Sequence, residues 1–290
     1  MNKIGIYYAY WTRDWDADFH PFVDKVADLG FDVLEVNAGT VAGMTGEERK
    51  RLKGHAEARG IGLSYCIGLP PKFDVAAEDA GTRRAGVKFL GQITRAIGEM
   101  GGGRLSGILY GCWPALMPEG ALDKRPFLDR SVASLKEALR SAEDQGVVMN
   151  MEVVNRFEQY LLNTAEEAVT FVTRIGSPNA KILLDTFHMN IEEDSIRSAI
   201  ATAGSTLGHV HLGESNRKPP GRGHIPWAEL ATALREIGYQ GWLVMEPFLF
   251  PGGQVGRDIR VWREVGKGMD LDREAARAVR FMRDRLAEAA

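Results

Sequence analysis

Short apolar runs, each ending on a polar or small residue and most followed by a stretch with helical periodicity, recur along the chain about every 30 residues. Eight of them read as strands, at residues 3–8, 32–36, 61–66, 104–109, 147–153, 181–184, 207–211 and 242–245. Alternation of strand and helix is the pattern of parallel strands joined by crossover helices. Eight strands are enough to close a barrel, so the fold expected is α/β, a single (β/α)8 barrel domain over residues 1–290. The punctuation agrees. A helix over 18–29 stops at Gly30, and Thr45 with Glu48 forms a capping-box pattern for a helix that stops at Gly60. Residues 78–100 end at Gly101, 129–145 stop at Gly146, Thr164 caps a helix with Glu167, and Pro226 begins one that stops at Gly238. Residues 251–267 break the alternation as a long Gly- and Arg-containing connection, read as a subunit contact, and 271–287 form an extra amphipathic C-terminal helix.

The candidate chemistry sits where the apolar runs stop. Glu152, Asp185, His211 and Glu246 each close one, at separations of 33, 26 and 35 residues, which fit one strand, one helix and two loops apiece. A barrel delivers active-site groups to its carboxyl face in this way. Any one carboxylate after a strand is more commonly a helix cap or a solvated loop residue; four such coincidences are not. Three carboxylates and one imidazole, without a thiolate, suit Mn²⁺, Co²⁺ or Mg²⁺ better than a structural zinc. His209 lies on the same side of its strand as His211, but two residues change depth by roughly 6–7 Å. The position nearer the carboxyl end favours His211 as ligand and leaves His209 as a packed or supporting histidine.

One ion with glutamates on two different strands suggests proton abstraction beside a carbonyl. The ion polarises a ketone and its neighbouring hydroxyl, one glutamate removes a carbon-bound proton, and another supplies one. If Glu152 and Glu246 approach from opposite faces, the stereocentre inverts. His188, three residues after Asp185 in a short loop, reads as a donor to the developing oxyanion, whereas Glu158 and Arg217 read equally as sugar contacts or as an ion pair on the rim. Tyr7, Trp15, Trp113 and Phe248 gather at the expected mouth as an apolar wall, and Cys66 reads as a small pocket-lining hydrophobe, not a reactive thiolate.

Composition narrows the partners. With 36 basic and 39 acidic residues, a net charge of −3 supplies no general attraction to nucleic acid or anionic lipid, which leaves a small molecule as the expected partner. The two cysteines, Cys66 and Cys112, form neither a zinc-like pair nor a disulfide framework, and the N-terminal sequence lacks the features of a signal peptide. No apolar stretch approaches the ~20 residues that span a bilayer. The expected location is the cytoplasm.

At these residues the chain closely resembles the ketose 3-epimerases, the D-tagatose and D-allulose 3-epimerase group within the xylose-isomerase-like barrels. The matching segments are GIYYAYW at 5–11, LGFDVLEV at 29–36, MEVVNRFE at 151–158, LLDTFHMNIEE at 183–193, GHVHLGESNR at 208–217 and VMEPF at 244–248. The resemblance implies that Glu152, Asp185, His211 and Glu246 bind the metal, usually Mn²⁺ or Co²⁺, and that Glu152 and Glu246 are the acid/base pair. It implies that Glu158, His188 and Arg217 contact oxygens near the reacting carbon, that the product is the ketose inverted at carbon 3, and that the protein is a homodimer or homotetramer. Candidate substrates are D-tagatose, D-fructose, D-allulose and L-ribulose. The segments around Cys66, Lys124 and Glu152 look more like the D-tagatose branch, and Tyr7 is familiar from the D-allulose branch.

Three alternatives use the same residues differently. An aldose–ketose or hydroxypyruvate-type isomerase would use this barrel and these ligands to move the carbonyl. A related DNA-repair endonuclease would need a multi-zinc cluster and a basic face, which six histidines and a net charge of −3 disfavour. A non-catalytic sugar-binding barrel would keep the aromatics without needing two opposed carboxylates.

Overall fold

In the computed structural model, which describes residues 2–289, strands β1 (Ile4–Tyr7), β2 (Val33–Asn37), β3 (Gly62–Cys66), β4 (Gly103–Gly107), β5 (Val147–Val153), β6 (Ala180–Asp185), β7 (Leu207–Leu212) and β8 (Leu243–Met245) form a closed parallel barrel in chain order. Pairing of β8 with β1 closes the ring, Ile6 opposite Met245. The first and last residues of the expected 1–290 domain lie outside the described residues. Strand limits agree with those expected to within two residues, and β5 matches its expected range. At β1 the apolar run continues past the strand because Tyr8–Tyr10 turn into a 3₁₀ helix packed in the core.

The outer layer comprises α1 (His20–Leu29), α2 (Ala38–Gly43), α3 (Gly46–Ala58), α4 (Ala80–Glu99), α5 (Arg125–Asp144), α6 (Ala165–Ile175), α7 (Thr186–Glu192), α8 (Ile196–Ala203), α9 (Trp227–Glu236), α10 (Gly253–Asp258) and the additional C-terminal α11 (Leu271–Glu288). The capping box before α3 is present in both directions: Thr45 Oγ1 accepts from the Glu48 N–H, and the Glu48 carboxylate accepts from the Thr45 N–H at 2.7 Å. Thr164 caps α6, and Gly176 ends it in the left-handed conformation.

Two features position the chemistry. Inside the barrel, Glu35, Ser64, Ser106, Asn150 and His209 form a fully buried polar layer beneath the strand ends. Glu35 accepts from Ser64 Oγ at 2.5 Å, and Asn150 donates to Ser106 Oγ at 3.2 Å. The second feature is an irregularity between β6 and β7. Ile182 pairs with Leu207, but Leu183 pairs with His209, so Gly208 is passed over and Asp185 comes opposite His211. Without that skip Asp185 would face Val210, because a one-residue slip exchanges the two faces of a strand. Glycine is required there: a Cβ would lie 2.1 Å from Asn150 Oδ1 and 2.7 Å from Lys181 Cβ.

Candidate active site

Glu152 on β5, Asp185 at the end of β6, His211 on β7 and Glu246 just after β8 converge, each offering one ligand atom within 4.8 Å of the others. All four are buried. His211 Nδ1 lies 3.4 Å from Glu152 Oε1 and 3.6 Å from Glu246 Oε1 and makes no hydrogen bond. An unpartnered buried nitrogen aimed among three buried carboxylates is the arrangement a bound cation satisfies, since these groups are costly to bury otherwise. The donor set therefore fits a divalent metal.

Glu35, to which the sequence reading assigned no role, holds this histidine from behind. Its Oε1 is 2.7 Å from His211 Nε2, and its Oε2 is 3.1 Å from His209 Nε2. Burial by itself raises the Glu35 pKa, but the two imidazoles outweigh it and hold the carboxyl well below the usual range. An ionised carboxylate only accepts, so it keeps a proton on His211 Nε2 and leaves Nδ1 to face the other ligands. His209 thus sits in the supporting layer, apart from the four converging groups. Burial also lowers the His211 pKa, yet Glu246, Glu35 and Glu152 together raise it well above its ordinary value. The Glu246 pKa is raised, by burial first and then by Glu152 and Asp185, against the pull of His211 and Arg217.

His188 is not in a loop. Asp185 caps α7 by accepting from the Phe187 N–H at 2.8 Å, so His188 stands in the first helical turn. The Asn155 N–H donates to His188 Nδ1 at 3.2 Å, which fixes the other nitrogen, Nε2, as the proton-bearing one; it lies 3.7 Å from Asp185 Oδ2. Arg217, read from the sequence as a sugar contact or as a rim ion-pair partner, is buried at the cavity. Its guanidinium donates to Asp185 Oδ2 and Glu246 Oε2, each at 3.2 Å, lies 3.6 Å from Glu158 Oε1, and stacks 4.0 Å from the Phe187 ring centre. It therefore pairs with Glu158 while lining the cavity. Burial raises the Glu158 pKa, but His188, Arg217, Trp113 and Asn155 bring it below the ordinary value.

The cavity above the cluster has a volume of about 750 Å³, and every residue expected from the sequence as a sugar contact lines it. Tyr7, Trp15 and Phe248 form a mutual aromatic contact with ring centres 6.2–6.4 Å apart, and Trp113 meets Trp15 edge-on at 6.3 Å. Trp113 Nε1 also donates to Glu158 Oε2 at 3.0 Å. Cys66 is buried there, and burial, then Glu35, Glu152 and Glu246, pushes its pKa up, which disfavours the reactive thiolate form. The connection after β8, read from the sequence as a subunit contact, also contributes to the cavity. Its α10 segment folds back over the mouth, where Asp258 accepts from Trp15 Nε1 at 2.8 Å and Ile259 lines the cavity.

Comparison with known proteins agrees with this geometry. Residues 23–284 match the family described as the xylose isomerase-like TIM barrel. A D-psicose 3-epimerase of Ruminiclostridium cellulolyticum is 45% identical, over 97% of each chain. An L-ribulose 3-epimerase of Mesorhizobium japonicum is 34% identical over 91% of this chain and 88% of that one. The crystal structure of a D-psicose 3-epimerase with D-tagatose, from Clostridium cellulolyticum H10, superposes with a TM-score of 0.95 at 45% identity, covering 98% of this chain and 99% of that one.

Proposed function

Because the chain belongs to the xylose isomerase-like TIM barrels and, within them, to the ketose 3-epimerases, we propose that it inverts carbon 3 of free ketoses, with D-psicose (D-allulose) and D-fructose as the preferred pair. The preference rests on relatives at 42–45% identity that carry the D-psicose name; the L-ribulose relative is more distant, at 34%. It moves the emphasis away from the D-tagatose branch that the short motifs favoured.

The observation that carries the mechanism is the convergence of Glu152 and Glu246 on one cavity from β5 and β8. These strands stand three places apart in a ring of eight, so the two carboxylates reach the cavity from nearly opposite sides. Glu152, Asp185, His211 and Glu246 are the residues that would hold a divalent metal, with Mn²⁺ or Co²⁺ favoured over Mg²⁺ by the imidazole. Such an ion supplies Lewis acidity, lowering the cost of negative charge on the ketone and adjacent hydroxyl oxygens. One glutamate takes the carbon 3 proton from one face and the other returns a proton from the opposite face. His188 Nε2–H and the Arg217 guanidinium stabilise the oxygens as charge develops, and the aromatic wall seats the unreacting end of the sugar.

In deuterated water, label should enter carbon 3 with the ketone retained. Glu152→Gln and Glu246→Gln should each lower kcat by about 10²–10⁴-fold with the fold intact. An aldose as main product would instead indicate a carbonyl-shifting isomerase, and full turnover by either variant would remove that residue from the acid/base pair.

The protein acts as a homodimer or homotetramer in the cytoplasm. Support for the assembly comes from an exposed apolar rim beside the mouth: Leu116, Phe157 and Ile191 are 75%, 59% and 37% exposed. The rim is drawn together by the Ala115 N–H bond to the Glu158 carbonyl and the Arg156–Glu192 ion pair. Phe157→Asp should sediment as a smaller species than wild type; an identical sedimentation profile would exclude this face. No helix among the described residues is long and apolar enough to cross a membrane, and both cysteines are free.

A further inference from the structure

Beyond β7, the chain makes a turn that no cavity group explains. Glu214 is fully buried, yet it belongs neither to the converging ligands nor to the cavity lining. A buried carboxylate is costly unless its oxygens are satisfied, and these are satisfied entirely by N–H groups of the segment leading into α9. Oε1 accepts from Gly221 N at 2.7 Å, Arg222 N at 3.1 Å and Trp227 Nε1 at 2.8 Å, while Oε2 accepts from Ile225 N at 3.3 Å. The packing is close enough that a Cβ on Gly223 would lie 2.3 Å from Glu214 Oε2.

The backbone of the same residue closes the turn that carries Arg217. The Glu214 carbonyl accepts from the Arg217 N–H at 2.8 Å, and the Glu214 N–H donates to the Lys218 carbonyl at 3.3 Å. Within this turn Arg217 has φ 61°, the left-handed region that a side-chain-bearing residue adopts only when its surroundings enforce it. Asn216 Nδ2 donates to the Arg222 carbonyl at 2.9 Å, tying the turn to the stretch that the Glu214 carboxylate gathers. The Arg217 carbonyl then accepts from the Phe248 N–H at 3.0 Å, which sets the turn against the residues after Glu246.

We propose that Glu214 is a positioning residue for the epimerisation: its carboxylate gathers residues 221–227 and thereby holds Arg217 in the left-handed turn that aims the guanidinium at Asp185, Glu246 and Glu158. The inference rests on the reading of the cavity as an epimerase site. A carboxylate suits the task because it accepts several N–H donors along one edge, whereas an amide of equal length turns a donor toward the Ile225 N–H.

The test is a double-mutant cycle on the metal-loaded enzyme, with Glu214→Gln and Arg217→Ala, assayed below the melting temperature of every variant. Arg217→Ala should lower kcat/KM. Glu214→Gln should lower it by up to about a hundredfold, as expected for a misplaced contact group. The double variant should be no worse than Arg217→Ala alone. A residue that merely supported folding would lower stability in both backgrounds and multiply with the arginine change. Trp227→Phe, which removes one donor and keeps an aromatic ring, should shift kcat/KM in the same direction and be silent when Arg217 is already alanine. Wild-type kcat/KM in Glu214→Gln, or independent multiplication of the two effects, overturns the proposal, as does full activity in Arg217→Ala. If Glu246→Gln is inactive in these same assays, such a result counts against Glu214 alone. An active Glu246→Gln counts against the epimerase mechanism itself.

Discussion

A single glutamate inside the barrel decides which nitrogen of His211 faces the other carboxylates. Glu35 spans both histidines of β7, and its ionised state keeps His211 Nε2 protonated. Glu35→Gln removes the anion while keeping most of the volume, so the imidazole loses the partner that fixes its tautomer and raises its basicity. Mn²⁺ affinity should fall about 10–100-fold, measured by titration of the metal-stripped variant; an unchanged dissociation constant would remove Glu35 from the metal support. The four strand-end residues were legible in the sequence because each polar group interrupts an apolar run at barrel spacing. Glu35 was not, because a lone carboxylate within the run 32–36 has the same sequence appearance whether it faces the barrel interior or caps a loop. Its partners are 174 and 176 residues away, a distance that no local pattern encodes. For Glu158 and Arg217, spacing left two uses open; in the folded chain they pair with each other and both line the cavity.

At the scale of elements, the eight strands and the long helices were readable from apolar periodicity and terminal glycines, and the short helices were not. Residues 38–43 hold two glycines in six positions, too few for a periodic signal, and α7 exists because Asp185 caps it, a role hidden behind its expected use as a ligand. The β6–β7 irregularity was likewise invisible, since alternation places His209 and His211 on one face but does not reveal that Gly208 is skipped. That skip aligns Asp185 with His211. Gly208→Ala drives a methyl into Asn150 and Lys181, and such overpacking costs about 1–3 kcal/mol. Urea denaturation should show the loss, and metal affinity should fall with it because relief of the clash moves β7 against β6. If the urea midpoint and the metal affinity both match wild type, the irregularity has no role in setting the site.

For the whole molecule, four consecutive strands of the closed barrel, β5 to β8, deliver their ends to one point, so a cation there bonds half the ring together. Without it, the three buried carboxylates lean on Arg217 and His211, with His188 Nε2 3.7 Å from Asp185, and each must be satisfied inside a low-dielectric interior. A ligand that binds the folded chain alone stabilises it by about 2.7 kcal/mol at a hundred times its dissociation constant. For a chain of 290 residues that corresponds to a rise in Tm of roughly 4–5 °C. Mn²⁺ and Co²⁺ added to chelator-treated protein should produce that rise, Mg²⁺ a smaller one, and Asp185→Ala should abolish the response by removing one ligand and the α7 cap together. Glu246→Gln separates those two effects, because it weakens the metal response while leaving the cap in place. The same melting curve with chelator and with Mn²⁺ would mean that the four strand ends do not form a metal site. The cavity would then have to act on its sugar through Arg217, His188 and the carboxylates alone.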